Sequence, residues 1–221
     1  AVSLGLDRQQ LIEIGAQGVG ELSYTIPPAD PLGAPATEDS PFYRHDPEEA
    51  RRLLAESGED DVSLTMVLQS ENPTSVPTAQ LMSEQLREIG IDLRVEQIPF
   101  STLVSNLLSG DWGADMIQLN AVLNADASQY LALWFAEGAQ STKVEDEQLW
   151  AMMDEAVATE DGNEARRAMY AEISEYIAEN VYQIVPYASP YTIEAWSPEL
   201  QDYTADATGT RIFLKHARIE G

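Results

Sequence analysis

Two short stretches of the chain alternate between apolar and polar residues, and a helical pattern lies between them. The first stretch covers residues 62–69 and the second covers residues 91–98. Alternation with a period of two predicts a β-strand in each. The intervening apolar positions are spaced by three or four residues, which predicts a helix that ends at Gly90. These positions are Ala79, Met82, Leu86 and Ile89.

The pattern continues beyond the second stretch. Five apolar residues at helical spacing precede Gly110, namely Phe100, Leu103, Val104, Leu107 and Leu108. Residues 114–119 then predict a third strand. Strands and helices in strict alternation predict parallel βαβ units within an open α/β sheet. Apolar stripes at residues 149–157 and 169–177 predict two more helices, and residues 183–196 and 210–219 predict strands separated by turns.

The segment HDPEEARRLLAESG, residues 45–58, carries the start and stop signals of a helix. Asp46 is a suitable N-cap, Pro47 fits the first helical position, and Glu49 is placed to complete a capping box. Gly58 supplies a left-handed C-terminal stop. We therefore predict a helix between Asp46 and Gly58.

The N-terminal region predicts less regular structure. Residues 1–15 have the apolar spacing of a helix, and GAQGVG at residues 15–20 predicts a flexible turn. The segment 26–41 contains too many prolines for a helix or a central strand. It is either an extended segment lying across a surface or a disordered linker between domains.

Charge limits the classes of partner. The chain has 38 acidic and 12 basic side chains and a formal net charge of -26. Nucleic acids and anionic membranes are bound through clustered Lys and Arg, so neither is an expected partner. The acidity fits either adaptation to high salt or an ordinary acidic exterior.

The residues needed for common catalytic and metal sites are sparse. The chain has no cysteine, and His45 and His216 are its only histidines, which argues against a transition-metal site and leaves no expected cofactor. Paired carboxylates could serve a hydrolase. The candidates, Asp111 with Asp115 and the run 145–147, are better explained as solvated residues or helix starts.

Several of these elements, in this order, resemble one known family. The segments are LDR at residues 6–8, the proline-rich segment, DPEEARRLLAESG, AQLMSEQLREIGIDLRVEQI, LLSGDWGADMI and RRAMYAEISEYIAENVYQIVPY. Together they resemble the second half of family 5 solute-binding proteins. These proteins serve peptide- and nickel-type ABC importers. The resemblance covers nearly the whole chain.

The resemblance implies a type II periplasmic-binding-protein fold with two lobes that close on a ligand. Residues 1–195 would form the second lobe, and residues 196–221 would return toward a first lobe that the chain lacks. The chain would then be a fragment of a longer protein that is secreted or lipid-anchored, in the periplasm or at the cell surface. Its partners would be a small polar solute (oligopeptide, oligosaccharide or metal chelate) and ABC permease subunits. A sensory or docking module on the same fold remains an alternative.

Ligands of open α/β sheets bind beyond the carboxyl ends of the strands. Two loops qualify, at residues 69–75 and 120–130. In the family, the second loop often carries an aromatic and then an acidic residue that holds a peptide's amino terminus. Here Asn120 and Leu123 stand at those places, and Asp126 matches a helix cap. The amides favour neutral polar ligands, although asparagine is also common in turns.

The predicted ligand-binding residues come from these two loops. They are Gln69, Glu71, Asn72, Asn120, Leu123, Asn124, Asp126 and Tyr130. Four aromatic residues could form a wall facing the ligand or belong to the core, namely Trp112, Tyr130, Trp134 and Phe135.

Overall fold

The computed structural model describes residues 1–22, 43–59, 61–119, 127–160, 164–184, 199–202 and 218–219. A three-stranded parallel sheet lies at its centre, in the order β2-β1-β3. The strands are β1 (Ser63–Gln69), β2 (Asp92–Ile98) and β3 (Met116–Gln118). The predicted parallel α/β arrangement is confirmed, and β3 is shorter than the six residues expected from the sequence.

Helices connect and cover the strands. Helix α4 (Ser75–Glu88) links β1 to β2, and α5 (Phe100–Ser109) links β2 to β3. Of the apolar stripe predicted for α5, Leu103 is fully buried, whereas Phe100 and Leu108 are exposed. Helix α3 (Pro47–Ser57) precedes the sheet.

The N-terminal residues form two short helices and a π-helical turn rather than one continuous helix. These are α1 (Val2–Gly5), α2 (Arg8–Gln10) and the π-turn Leu11–Gly15. The break falls at Asp7, whose side chain caps α2 by accepting a hydrogen bond from the backbone of Gln10. The segment packs on α4, and Gly15 approaches so closely that an added Cβ would lie 2.8 Å from the Cα of Thr78.

The capping of α3 follows the prediction in part. The Asp46 carboxylate accepts a 3.0 Å hydrogen bond from the backbone N–H of Glu49, and Gly58 adopts a left-handed φ of 73°. The reciprocal hydrogen bond of the capping box, from the backbone N–H of Asp46 to the Glu49 side chain, was predicted and does not form. The N–H of Asp46 donates to the carbonyl of Leu4, and the Glu49 side chain accepts from Arg52 instead.

The described residues form two separate hydrophobic cores. The sheet core joins the strands, α3, α4 and the N-terminal segment, and its buried members are aliphatic: Leu6, Leu11, Ala50, Met66, Leu68, Ala79, Met82, Leu86, Ile89, Ile91 and Leu93. The helical core joins α6 (Ala127–Phe135), α7 (Glu147–Ala158) and α8 (Glu164–Glu179). It contains the buried aromatic residues Tyr43, Tyr130, Phe135 and Tyr170.

The C-terminal part of the chain is described in two short pieces, β4 (Leu200–Gln201) and β5 (Arg218–Ile219). They pair antiparallel. The end of the strand predicted at 210–219 therefore lies in β5, whereas most of the other tail strand predicted at 183–196 lies outside the described residues, as does the proline-rich segment 26–41. The division into a lobe at 1–195 and a return segment at 196–221 stays a prediction.

Candidate functional site

The three parallel strands end at one edge of the sheet, where the first predicted ligand loop begins. Gln69 is the last residue of β1 and pairs with Ile98, the last residue of β2. Gln118 ends β3 and pairs with Leu68. Because the strands are parallel, their carboxyl ends share this edge, the usual place for a ligand in an open α/β sheet. We call it the carboxyl rim, made of residues 69–75, 98–100 and 118–119.

Glu71 connects two loops of the carboxyl rim. Its carboxylate oxygens lie 3.0 and 3.1 Å from the backbone nitrogen of Phe100 and accept its N–H. Phe100 begins α5, and Pro99 before it provides no side-chain cap. The hydrogen bond from Phe100 is the main cause that lowers the pKa of Glu71. The backbone N–H of Ser70 also donates to the carbonyl of Ile98 at 2.9 Å, so the two loops are joined twice.

Asn72 shapes its own loop. Its side-chain oxygen accepts hydrogen bonds from the backbone N–H and the hydroxyl of Thr74, both at 2.9 Å. This is the turn chemistry expected of asparagine in a loop. The bonds hold the rim directly before α4, and contact between Asn72 and a ligand stays a prediction.

Two polar atoms near β3 are buried without a hydrogen-bond partner among the described residues. They are the side-chain oxygen of Gln118 and the indole nitrogen of Trp112. The ammonium of Lys143 lies 5.8 Å from the centre of the Trp112 ring. Sequence reasoning did not select Gln118, although a polar residue at the end of an apolar strand is a usable signal.

Tyr130 lies in the helical core rather than on an open surface. Its side chain is 2% exposed, and its hydroxyl oxygen accepts a 2.6 Å hydrogen bond from the amide of Gln183. Burial raises the pKa of Tyr130 to about 12. Trp134 packs against the same core, and Phe135 is fully buried. Of the two interpretations of these aromatic residues, the core applies to Tyr130, Trp134 and Phe135.

Four further residues predicted to bind the ligand come from the second loop. Asn120, Leu123, Asn124 and Asp126 lie outside the described residues. Their contact with a ligand stays a prediction.

Two of the acidic residues considered for hydrolysis, Asp115 and Asp146, have structural partners. Asp115 accepts a 2.8 Å hydrogen bond from the backbone of Thr65, between β1 and β3. Asp146 caps α7 and accepts hydrogen bonds from the hydroxyls of Tyr176 and Tyr182. Within the described ranges, no group of three or more His, Cys, Asp or Glu is arranged to hold a metal ion. In the same ranges, no helix is long and apolar enough to cross a membrane.

Comparison with solved structures defines the class of fold. The oligopeptide-binding protein AppA of Bacillus subtilis, solved with a nonapeptide, superposes with a TM-score of 0.80 at 20% identity and covers 100% of this chain and 46% of that one. A dipeptide-binding protein of Pseudoalteromonas sp. SM9913, solved with Met-Leu, gives 0.83 at 21% identity, over 99% of this chain and 44% of that one. The fold is that of a type II periplasmic binding protein.

Sequence comparison shows the family. The profile of the bacterial extracellular solute-binding proteins, family 5 middle region, matches residues 1–142. The chain belongs to this family. AppA of Bacillus subtilis strain 168 is 26% identical over 145 residues, which are 59% of this chain and 26% of AppA. A probable di/tripeptide-binding protein of Pseudomonas aeruginosa strain UCBPP-PA14 is 24% identical, over 98% of this chain and 42% of its own length. The chain thus spans less than half of these relatives.

Proposed function

We propose that this chain is part of an extracellular solute-binding protein that captures a peptide by closure of two lobes and delivers it to an ABC permease. The main support is the carboxyl rim, an edge with amide and aromatic side chains, in a fold shared with proteins solved with bound peptides. The mechanism needs no chemical step and no cofactor, because hinge closure alone buries the ligand.

The proposed arrangement places this chain as the second lobe. Residues 1–195 form that lobe, residues 196–221 return toward the first, and the first lobe belongs to the same longer protein. The location is the periplasm or the outer face of the cytoplasmic membrane. The fact that the chain spans 46% of the AppA structure supports this division.

Ligand contacts in this proposal come from side chains of both loops, four of which carry an amide group. Gln69 and Asn72 contribute from the first loop, and the second contributes Asn120, Leu123, Asn124 and Asp126. Amide groups donate and accept hydrogen bonds without a net charge, which suits the backbone of a peptide or another neutral polar solute. Tyr130 belongs to α6 and packs in the helical core, and its contact with a ligand stays a prediction.

Calorimetric titration of the longer, two-lobed protein tests the proposal. The ligand panels are mixed di- to nonapeptides, neutral oligosaccharides and a nickel–histidine chelate. We expect saturable binding of peptides, with a smaller radius of gyration in X-ray scattering once ligand is bound. The absence of binding to all three panels would contradict the proposed function, and binding of only sugars or the chelate would replace the ligand class.

Gln69→Ala, with Gln97→Ala as its control, tests the rim itself. Gln97 is an exposed residue of β2, one position before the rim. Loss of one ligand hydrogen bond at Gln69 should weaken peptide binding about tenfold, whereas the control should leave it unchanged. Equal effects of the two substitutions would argue against a ligand contact at Gln69.

A further inference from the structure

Glu71 is the acidic residue of the carboxyl rim, and its carboxylate is already engaged. Both oxygens accept the N–H of Phe100, and one also accepts the hydroxyl of Ser70 at 3.2 Å. Glu71 and Phe100 are 29 positions apart in the chain. The bond therefore joins two loops that approach each other only because β1 and β2 pair in parallel.

Phe100 presents an aromatic ring to solvent at that same rim. It is 51% exposed, whereas Leu103, one turn later on α5, is fully buried. The buried leucine fixes the helix on the sheet, and Glu71 fixes its first residue. A single exposed apolar side chain is ordinary on a protein surface. This one lies at the edge where open α/β sheets bind ligands, on backbone held from two sides.

We propose that Glu71 is a positioning residue that holds Phe100 at the carboxyl rim, where the Phe100 ring contacts an apolar side chain of the bound peptide. Glu71 then does not bind the amino group of the ligand, because its oxygens serve the start of α5. This inference rests on the proposed function and adds a preference for peptides with an apolar side chain.

The physical reason for such a device is preorganisation. A loop that is already ordered loses less conformational entropy when the ligand binds. An aromatic ring on fixed backbone offers a large contact area with only two side-chain torsions to restrict. Removing the hydrogen bond between Glu71 and Phe100 should make the carboxyl rim less ordered. Peptide binding should then weaken although no ligand contact has been removed.

The first experiment examines the hydrogen bond between Glu71 and Phe100 in the 221-residue chain, without ligand. Amide hydrogen exchange of Phe100 is measured by NMR in the wild type, Glu71→Ala, Glu71→Gln and Glu96→Ala. Glu71→Ala should accelerate exchange about tenfold, the effect of losing one charge-assisted hydrogen bond. Glu71→Gln retains an acceptor oxygen and should restore most of the protection. Glu96 is an exposed glutamate of β2 and should have no effect.

The second experiment measures peptide affinity in the two-lobed protein, with Met-Leu and Gly-Gly as probes. Phe100→Ala should weaken binding of Met-Leu about tenfold and that of Gly-Gly less than about threefold, because only Met-Leu offers apolar side chains. Glu71→Ala should act in the same direction. The double variant should be little weaker than Phe100→Ala alone, since Glu71 acts through Phe100.

The outcomes separate the two proposals. If the amide hydrogen exchange rate of Phe100 is unchanged in Glu71→Ala, the hydrogen bond between Glu71 and Phe100 does not order the rim, and the inference is wrong. Faster exchange with unchanged Met-Leu affinity, or additive losses in the double variant, overturns the positioning role and leaves peptide binding intact. If the wild type binds neither probe nor any longer peptide, the proposed function fails together with the ligand preference.

Discussion

The sheet core and the helical core of this chain hold their elements together with different groups. The buried residues of the sheet core are aliphatic, and its N-terminal segment reaches α4 through glycines at positions 5 and 15. The helical core buries aromatic residues whose polar atoms need partners. The amide of Gln183 donates to Tyr130, and Arg166 donates to the hydroxyl of Tyr170 at 2.9 Å.

This difference predicts that the two cores are sensitive to different kinds of substitution. An aliphatic core with close backbone contacts tolerates little added volume. An aromatic core loses stability through cavities and also through hydroxyl groups left without partners. Five predictions test the comparison, in order of decreasing effect on the free energy of unfolding, with the pH dependence of Asp146 placed directly after its substitution.

Phe135→Ala should have the largest effect. Phe135 is fully buried in the helical core, and truncation to alanine leaves a cavity that costs about 4 kcal/mol. Leu86→Ala, at a fully buried site of the sheet core, should cost about 3 kcal/mol. Urea unfolding followed by circular dichroism measures both. The exposed residue Leu133 is the control, and its replacement by alanine should change stability by less than about 0.5 kcal/mol.

Gly15→Ala adds a methyl group where the sheet core has no room. The new Cβ would lie 2.8 Å from the backbone Cα of Thr78, so the N-terminal segment or α4 must move. We expect a loss of about 3 kcal/mol, at the upper end for overpacking. Gly58→Ala is the control, since nothing lies within 4 Å and only its positive φ opposes the change. It should cost about 1 kcal/mol, and equal losses at both sites would argue against the close contact.

Asp146→Ala should cost about 2 kcal/mol, because it removes the cap of α7 and the partner of two tyrosine hydroxyls. Asp154→Ala, at an exposed site of the same helix, should be nearly neutral. Stability is measured by urea unfolding at neutral pH. Similar losses for the two variants would contradict the role of Asp146.

The same residue predicts a dependence on pH. The pKa of Asp146 is lowered from 3.8, mainly by the backbone N–H of Leu149 and also by the tyrosine hydroxyls. A lowered pKa stabilises the folded chain above the unfolded value, and this contribution is lost as the pH falls through the folded value. The gap in stability between the wild type and Asp146→Ala should therefore narrow below about pH 4. A gap of constant size from pH 7 to pH 2 would show that the charge is unimportant.

Tyr130→Phe should have the smallest effect, about 1 kcal/mol, because the amide of Gln183 loses its acceptor while the ring still fills the core. Thermal unfolding measures it. In the two-lobed protein that we propose, the substitution should leave peptide affinity unchanged. A weaker affinity with unchanged stability would instead support the sequence-based assignment of Tyr130 to the ligand site.

Much of the local structure was predictable because its signals are local. The alternation at 62–69 and 91–98 predicts β1 and β2 to within a residue. Asp46, Pro47 and Gly58 mark both ends of α3. The reciprocal capping bond failed because a tertiary partner, the carbonyl of Leu4, took the N–H of Asp46. For Phe100, the helical spacing correctly predicted a position in α5. The burial expected from the apolar stripe was wrong, because the side chain is exposed.

The position of the carboxyl rim was predictable from the sequence, and the partners of its side chains were not. The rule that ligands bind at the carboxyl ends of parallel strands selects the loop after Gln69 without any coordinates. It does not reveal that the Glu71 carboxylate accepts the backbone N–H of Phe100 or that Tyr130 is buried in the helical core. Asn72 could be assigned to turn chemistry, since its partner Thr74 is only two residues away.

The sequence by itself determined the order of strands and helices, the parallel sheet, the absence of cysteine and the family, because these depend on residue types and short-range spacing. Only the tertiary structure decided which distant groups meet. Glu71 and Phe100 are 29 positions apart, and Asp146 and Tyr182 are 36 apart. Such pairs depend on how the helices and strands between the two residues pack in three dimensions. The pattern of apolar and polar residues along the chain does not specify that packing.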